Sequence, residues 1–349
     1  MNDTLAKARS WNHLSQIYEI LGPLGQFLEC TERASELLLG ENKESSKLSP
    51  PYQLELAITL YRKGWALYRL GQPEAAMEMA QQVMRLCAGL GISGLRGMAQ
   101  GKRLMGVVHM MVGQYDNAEG HMKEALAAFQ ELGDRRWIAR LWNALGENAR
   151  LGGDYKAAVH AYQAALTIAL ETGNRDSEIM YRSNLGGAYV GLERYREAEQ
   201  ELEHATLLAG SAAWGGLSET ECFLAEAYLE QGKLEQARDT AQQALARGIQ
   251  AEQKEFIANG WRVLGRIAMR LDCGREPADC FSVSLRVFTE ISMPGEQART
   301  LWAWATHELT SGDPVRGKAM WQEARGLFEQ LNMVQMVQRM DDSPLWPTA

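Results

Sequence analysis

Nine prolines in 349 residues are few, and no stretch alternates apolar and polar residues in the way a half-buried strand does. Both absences leave long, uninterrupted helices as the expected element. No run of about 18 apolar residues occurs, so no membrane span is expected. The opening Met1-Asn2-Asp3-Thr4-Leu5-Ala6-Lys7 lacks the apolar core of a secretory signal. The five cysteines (Cys30, Cys87, Cys222, Cys273, Cys280) form no CxxC pair. A disulfide framework and a zinc ribbon are thereby excluded, and free thiols in a cytoplasmic protein are expected. A basic excess is missing too: the net charge is −8, against general nucleic-acid or anionic-membrane binding.

Chemistry is equally sparse. There is no GxxxxGK[ST], HExxH or GxSxG. Gly91 to Gly97 is glycine-rich, but its spacing does not suit a dinucleotide fingerprint. The six histidines are scattered, and the carboxylates Glu197, Glu199, Glu201 and Glu203 sit beside Arg194 and Arg196 as a solvated helix face. The expectation is a non-catalytic chain with no metal and no cofactor.

What is present is a repeat. The chain is 46% hydrophobic and 23% charged, so it folds, and it is rich in alanine, leucine, glutamate, glutamine and arginine, all strong helix formers. Small residues recur at Gly64, Gly106, Gly146, Gly186, Ala225, Gly265 and Ala305, in steps of 39 to 42. A second small residue follows at +12: Ala76, Ala118, Ala158, Ala198, Ala237 and Gly317. In the sixth unit it falls at +13, Ala278, so one extra residue is expected in that turn. A third follows seven positions later, as Ala125, Ala165, Ala205, Ala244 and Ala324, with Val83 in the first unit. Small residues at such offsets let antiparallel helices approach closely. Glycines between them (Gly71, Gly113, Gly153, Gly232) suit left-handed helix ends, and Pro73 suits a first helical position.

These offsets resemble the tetratricopeptide repeat, which places small residues at its eighth, twentieth and twenty-seventh positions. Gly146, Ala158 and Ala165 match, as do Gly186, Ala198 and Ala205. The period is near 40 instead of 34, and the family's closing proline is absent. The loop cadence around Leu132-Gly133-Asp134-Arg135-Arg136 and Thr172-Gly173-Asn174-Arg175 is similar to that of arrays ending bacterial STAND-class signal-transduction NTPases, and to those trailing adenylate cyclases and LuxR-type regulators. The resemblance implies an all-α fold: an α-α superhelix, a right-handed solenoid of about eight hairpins. Residues 1–50 are read as a degenerate capping hairpin and polar loop, 51–331 as seven repeats, and 332–349 as a short helix and tail.

The resemblance also implies a concave groove lined from positions −6, −3, +1 and +4 of each marker. Applied here, it nominates Arg103, Arg140, Asn143, Glu147, Arg150, Ser183, Glu226, Asn259, Arg262, Arg266, Arg299 and Trp302, with Asn184 beside Ser183, as ligand or partner contacts. The −3 row (Tyr61, Arg103, Asn143, Ser183, Cys222, Arg262, Trp302) reads as a mostly polar ladder. Arginine forks suit carboxylate or phosphate, and Trp65 and Trp302 suit anchoring roles; Trp304 is read as core. The expected function is a sensor that binds a protein, a peptide or a small effector. The alternative is a constitutive adaptor or homo-oligomeric scaffold.

Overall fold

The computed structural model describes residues 3–21, 24–40, 48–210, 215–272 and 274–345. Cys273, most of the polar loop (41–47) and the end of the tail (346–349) lie outside the described residues. The chain divides into two compact units, Met1–Leu145 and Gly146–Ala349. Among the described residues there are seventeen α-helices and no strand. Unit 1 holds α1 (Thr4–Leu21), α2 (Leu24–Leu39), α3 (Pro50–Arg69), α4 (Pro73–Cys87), α5 (Ile92–Met111) and α6 (Tyr115–Glu131). The division falls inside α7 (Arg135–Gly152). Unit 2 continues with α8 (Tyr155–Thr172), α9 (Arg175–Gly191), α10 (Tyr195–Ala209), α11 (Leu217–Glu230), α12 (Leu234–Gln250), α13 (Lys254–Ala268), α14 (Pro277–Glu290), α15 (Pro294–Ser311), α16 (Pro314–Gln330) and α17 (Val334–Asp341).

One burial pattern builds every hairpin. Counted from the small marker on the first helix, the residues at +12, +16, +19 and +23 on the second are buried. In the second repeat these are Ala118, Met122, Ala125 and Phe129; in the third, Ala158, Tyr162, Ala165 and Ala169. The spacing is one face of a 3.6-residue helix, and each large member buried contributes roughly 1.5–3 kcal/mol. The N-terminal pair obeys the same rule: Ser15 is the buried marker, followed by Phe27, Thr31, Ala34 and Leu38. The marker is small because the +16 side chain lies against it. A Cβ on Gly146 would fall 2.7 Å from the Tyr162 ring, and one on Gly265 2.8 Å from Phe281.

The sixth repeat departs from expectation. Its +12 position is Pro277, which is buried at the start of α14, and Ala278 beside it is only half-buried. Phe281, Ser284 and Phe288 then hold the standard register. No residue is inserted; α13 simply ends early, at Ala268. Proline serves because a first helical position needs no N–H donor.

The turns follow the sequence. Gly71, Gly113, Gly153 and Gly232 all have positive φ. At the end of α7 the N–H of Asp154 donates to Ala149 O (2.8 Å) and that of Gly153 to Arg150 O (3.1 Å), a left-handed closure that satisfies terminal carbonyls. Where glycine is absent the geometry persists: Glu193, Glu252, Ser292 and Asn332 adopt φ of 53 to 61°. Packing of the hairpin therefore dictates the turn.

Candidate ligand cavity

Unit 2 encloses a cavity of about 730 Å³, within the ~300–1,000 Å³ typical of ligand sites. Its wall comes from successive first helices, α9, α11, α13 and α15, together with the last turn of α7 and the segment around α17. The apolar part includes Val190, Phe223, Leu229, Met269, Trp302 and Met336. Two glycines keep it open. A Cβ on Gly187 would meet Phe223 at 2.6 Å, and one on Gly191 would meet Tyr155 at 2.2 Å.

Paired charges make up the rest. Arg266 reaches Glu226 at 3.2 Å and Glu230 at 2.6 Å, and Arg270 reaches Glu230 at 3.1 Å. Glu296, only 5% exposed, is shared by Arg262 (2.5 Å) and Arg299 (3.0 Å). Arg150 pairs with Glu147 at 2.7 Å, and the Tyr162 hydroxyl donates to the same carboxylate at 2.7 Å. Burial works against ionisation of Glu296, but Arg262, Arg299 and Arg150 outweigh it and bring its carboxyl down to about 2. Glu219 sits 3.8 Å from Arg150. Burial, with repulsion from Glu147, Glu255 and Glu296, pushes its carboxyl up to about 8 despite that arginine. Glu255 is pushed to about 7, by burial first and then by Glu147 and Glu296.

The segment after α16 closes one side. The guanidinium of Arg339, on α17, donates to Gly191 O at 2.9 Å and pairs with Glu193 at 2.5 Å. Glu193 is one of the non-glycine residues with positive φ, so its carboxylate is used where glycine would have none. The Tyr155 hydroxyl lies 3.7 Å from the sulfur of Met336. From α15, Arg299 donates to the carbonyls of Arg150 and Leu151, each at 3.3 Å. Those are terminal carbonyls of α7, and Arg150 O takes this bond beside the one from the Gly153 N–H.

The expected contacts divide. Arg150, Glu226, Arg262, Arg266, Arg299 and Trp302 line the cavity. Glu147 orients Arg150, and Asn259 accepts a bond from Arg262 at 2.7 Å. Ser183 is corrected: it is 1% exposed and its hydroxyl meets that of Thr220 at 2.7 Å. Cys222, next in the −3 row, is 2% exposed. Short side chains there let α9 and α11 close on each other, so the polar ladder is interrupted. Asn184 is half-buried outside the cavity wall. Arg103, Arg140 and Asn143 belong to unit 1. Trp304 stacks on the buried Phe281, with ring centroids 6.4 Å apart. Its indole is half-buried, and its N–H donates to Glu308 at 2.8 Å.

Glu230, Arg270, Glu296, Tyr155, Phe223 and Arg339 were not anticipated. Two of them had a visible signal: Glu226 and Arg266, and likewise Glu230 and Arg270, are opposite charges one 40-residue period apart.

The tetratricopeptide-repeat family models match residues 59–87 and 97–171. The chain carries tetratricopeptide repeats. Among solved structures, its fold is similar to three Rap proteins. RapI in its apo form is 14% identical, with a TM-score of 0.67 over 94% of this chain and 97% of that one. A Rap protein complexed with competence and sporulation factor is 12% identical, with a TM-score of 0.67 over 97% and 99%. The Rap conjugation gene regulator of plasmid pLS20, in complex with the Phr* peptide, is 14% identical, with a TM-score of 0.66 over 96% of each. Such identities establish a shared tetratricopeptide-type fold and no more. No curated protein matches the sequence. Among the described residues, no helix is long and apolar enough to cross a membrane, and no three His, Cys, Asp or Glu side chains are placed to hold a metal ion.

Proposed function

We propose that unit 2 is a non-catalytic receptor for a short peptide, which lies extended along the cavity. The carrying observation is the repetition of charge pairs on neighbouring first helices beside a continuous apolar wall. Packed helix axes stand ~8–10 Å apart, and an extended chain advances ~3.3–3.6 Å per residue. Each helix then addresses about two or three new peptide residues, an arrangement that suits a strand-like ligand better than a compact metabolite. Spare N–H donors of the carboxylate-paired arginines would take backbone carbonyls of the peptide, and Phe223, Met269 and Trp302 would take apolar side chains. The Phr* peptide bound in one of the Rap structures supports the reading by fold alone.

The loop cadence further supports a setting in bacterial signalling, in which peptide binding controls an effector module of the STAND, cyclase or LuxR type. Cys30, Cys87 and Cys222 are free, buried thiols, in keeping with a cytoplasmic location.

The test is a fluorescence-polarisation screen of five- to seven-residue peptides, followed by calorimetry. Micromolar binding is expected, weakened at least tenfold by Arg266→Ala and Trp302→Ala at unchanged helicity. Binding that ignores both substitutions overturns the assignment. Self-association at micromolar protein with no peptide response would instead fit the adaptor reading.

A further inference from the structure

Unit 1 holds two arginines in a different state from those of the cavity. On α7, the Trp137 ring lies parallel to Phe129 (4.9 Å, 3°), so one of its faces is covered. The guanidiniums of Arg103, from α5, and Arg140, from α7, lie 5.6 and 5.3 Å from the Trp137 centroid. Both therefore lie against the same indole. Arg103 also lies 4.5 Å from the Trp65 ring of α3 and donates to the Tyr61 hydroxyl at 2.8 Å. Its Nε is buried without an acceptor. Arg140 is exposed.

Neither arginine pairs with a carboxylate among the described residues. Glu19, whose charge reaches Arg140, is itself engaged by Arg62 at 3.9 Å. An aromatic face attracts a guanidinium through its quadrupole but carries no net charge. The rings thus fix both cations in place without cancelling them. Each guanidinium presents a planar fork of N–H donors that fits tetrahedral oxyanions.

We propose that Arg103 and Arg140, braced by Tyr61, Trp65 and Trp137, form a binding site for a phosphate monoester. Its dianionic form matches the two uncancelled charges, whereas a carboxylate neutralises only one. The site is separate from the peptide cavity of unit 2 and does not depend on it.

The experiment titrates inorganic phosphate into the full chain at pH 7.5 and constant ionic strength, followed by phosphorus NMR and calorimetry. Acetate serves as the monoanionic comparison. Phosphate is expected to bind at least fivefold more tightly than acetate. Arg140→Gln, at an exposed position, weakens it at least fivefold; Arg103→Gln with Arg140→Gln abolishes it. Arg266→Gln in unit 2 leaves it unchanged. A phosphoserine peptide that binds more tightly than both phosphate and its serine counterpart identifies a phosphorylated partner as the source. Parity of that peptide with phosphate identifies a small phosphorylated molecule. Equal affinity for acetate, or phosphate binding that survives Arg140→Gln in a chain with unchanged melting, overturns the proposal.

Discussion

The two units place arginines at equivalent positions of one repeat and stabilise them in opposite ways. In unit 1, Arg103 and Arg140 rest on indole faces. In unit 2, Arg150, Arg262, Arg266 and Arg299 face carboxylates at 2.5 to 3.2 Å. The difference separates two uses of a charge. A ring-held guanidinium keeps its charge for an outside partner and is worth ~0.5–2 kcal/mol to the fold. A carboxylate-held one is largely spent within the protein, and removing one member strands the other. The same groove register can therefore supply either an anion-seeking surface or a rigid polar wall, depending on whether the neighbouring repeat contributes tryptophan or glutamate.

The comparison breaks most sharply at Glu296. Glu296→Ala leaves Arg262 and Arg299 facing each other in a nearly buried site, and should cost about 3–5 kcal/mol in denaturant unfolding. A loss below about 1 kcal/mol would show that the wall is not held by charge. Next comes Gly146→Ala. The added Cβ meets Tyr162 at 2.7 Å, and that ring cannot swing away while its hydroxyl is bonded to Glu147. The expected cost is about 1–3 kcal/mol, read in the same way.

A pH series sharpens the contrast further. Glu219 and Glu255 are pushed up to about 8 and about 7, so the folded chain binds their protons more tightly than the unfolded one. Stability should then fall as pH rises from about 4.5 through 8. Glu296 acts in the opposite sense: its carboxyl is lowered to about 2, so its stabilisation is complete above about 4.5 and is lost as pH falls towards 2. Glu219→Gln should raise the melting temperature at pH 8 by a few degrees and flatten the slope above pH 5. A melting temperature unchanged at pH 8 would refute strained ionisation there. The smallest effect is expected in unit 1. Arg140→Gln removes an exposed guanidinium with no carboxylate partner, and should change stability by less than about 1 kcal/mol.

Most of the fold was readable because it depends on local offsets. Gly146, Ala158 and Ala165 mark helix contacts within a single hairpin, and their spacing carries the register. The sixth repeat misled because alanine was sought at a position that needs only a small apolar group without an N–H, a role Pro277 fills. Groove residues were harder to read. Register places Ser183 and Arg262 alike in the −3 row, but only the longer side chain reaches past the helix contact into open space. Glu226 with Arg266 was within reach of a column-by-column reading of charge. Glu296 was not, because it lies a turn before the positions usually counted. Arg339 was out of reach altogether, since its partners at Gly191 and Glu193 lie nearly 150 residues earlier in the chain.

That last contact alters the topology of unit 2. In an open repeat array each hairpin touches only its neighbours, and unfolding creeps inward from the ends one hairpin at a time. Here Arg339 and Met336 on α17, with Arg299 on α15, fasten the last helices onto Arg150, Tyr155 and Gly191 near the first. A chain joined at both ends has no free end from which to fray. It must release as a block, and its folding waits on contacts of very large sequence separation, which form slowly. Amide protons from α7's last turn to α17 should therefore exchange at one common rate, set by a single opening event.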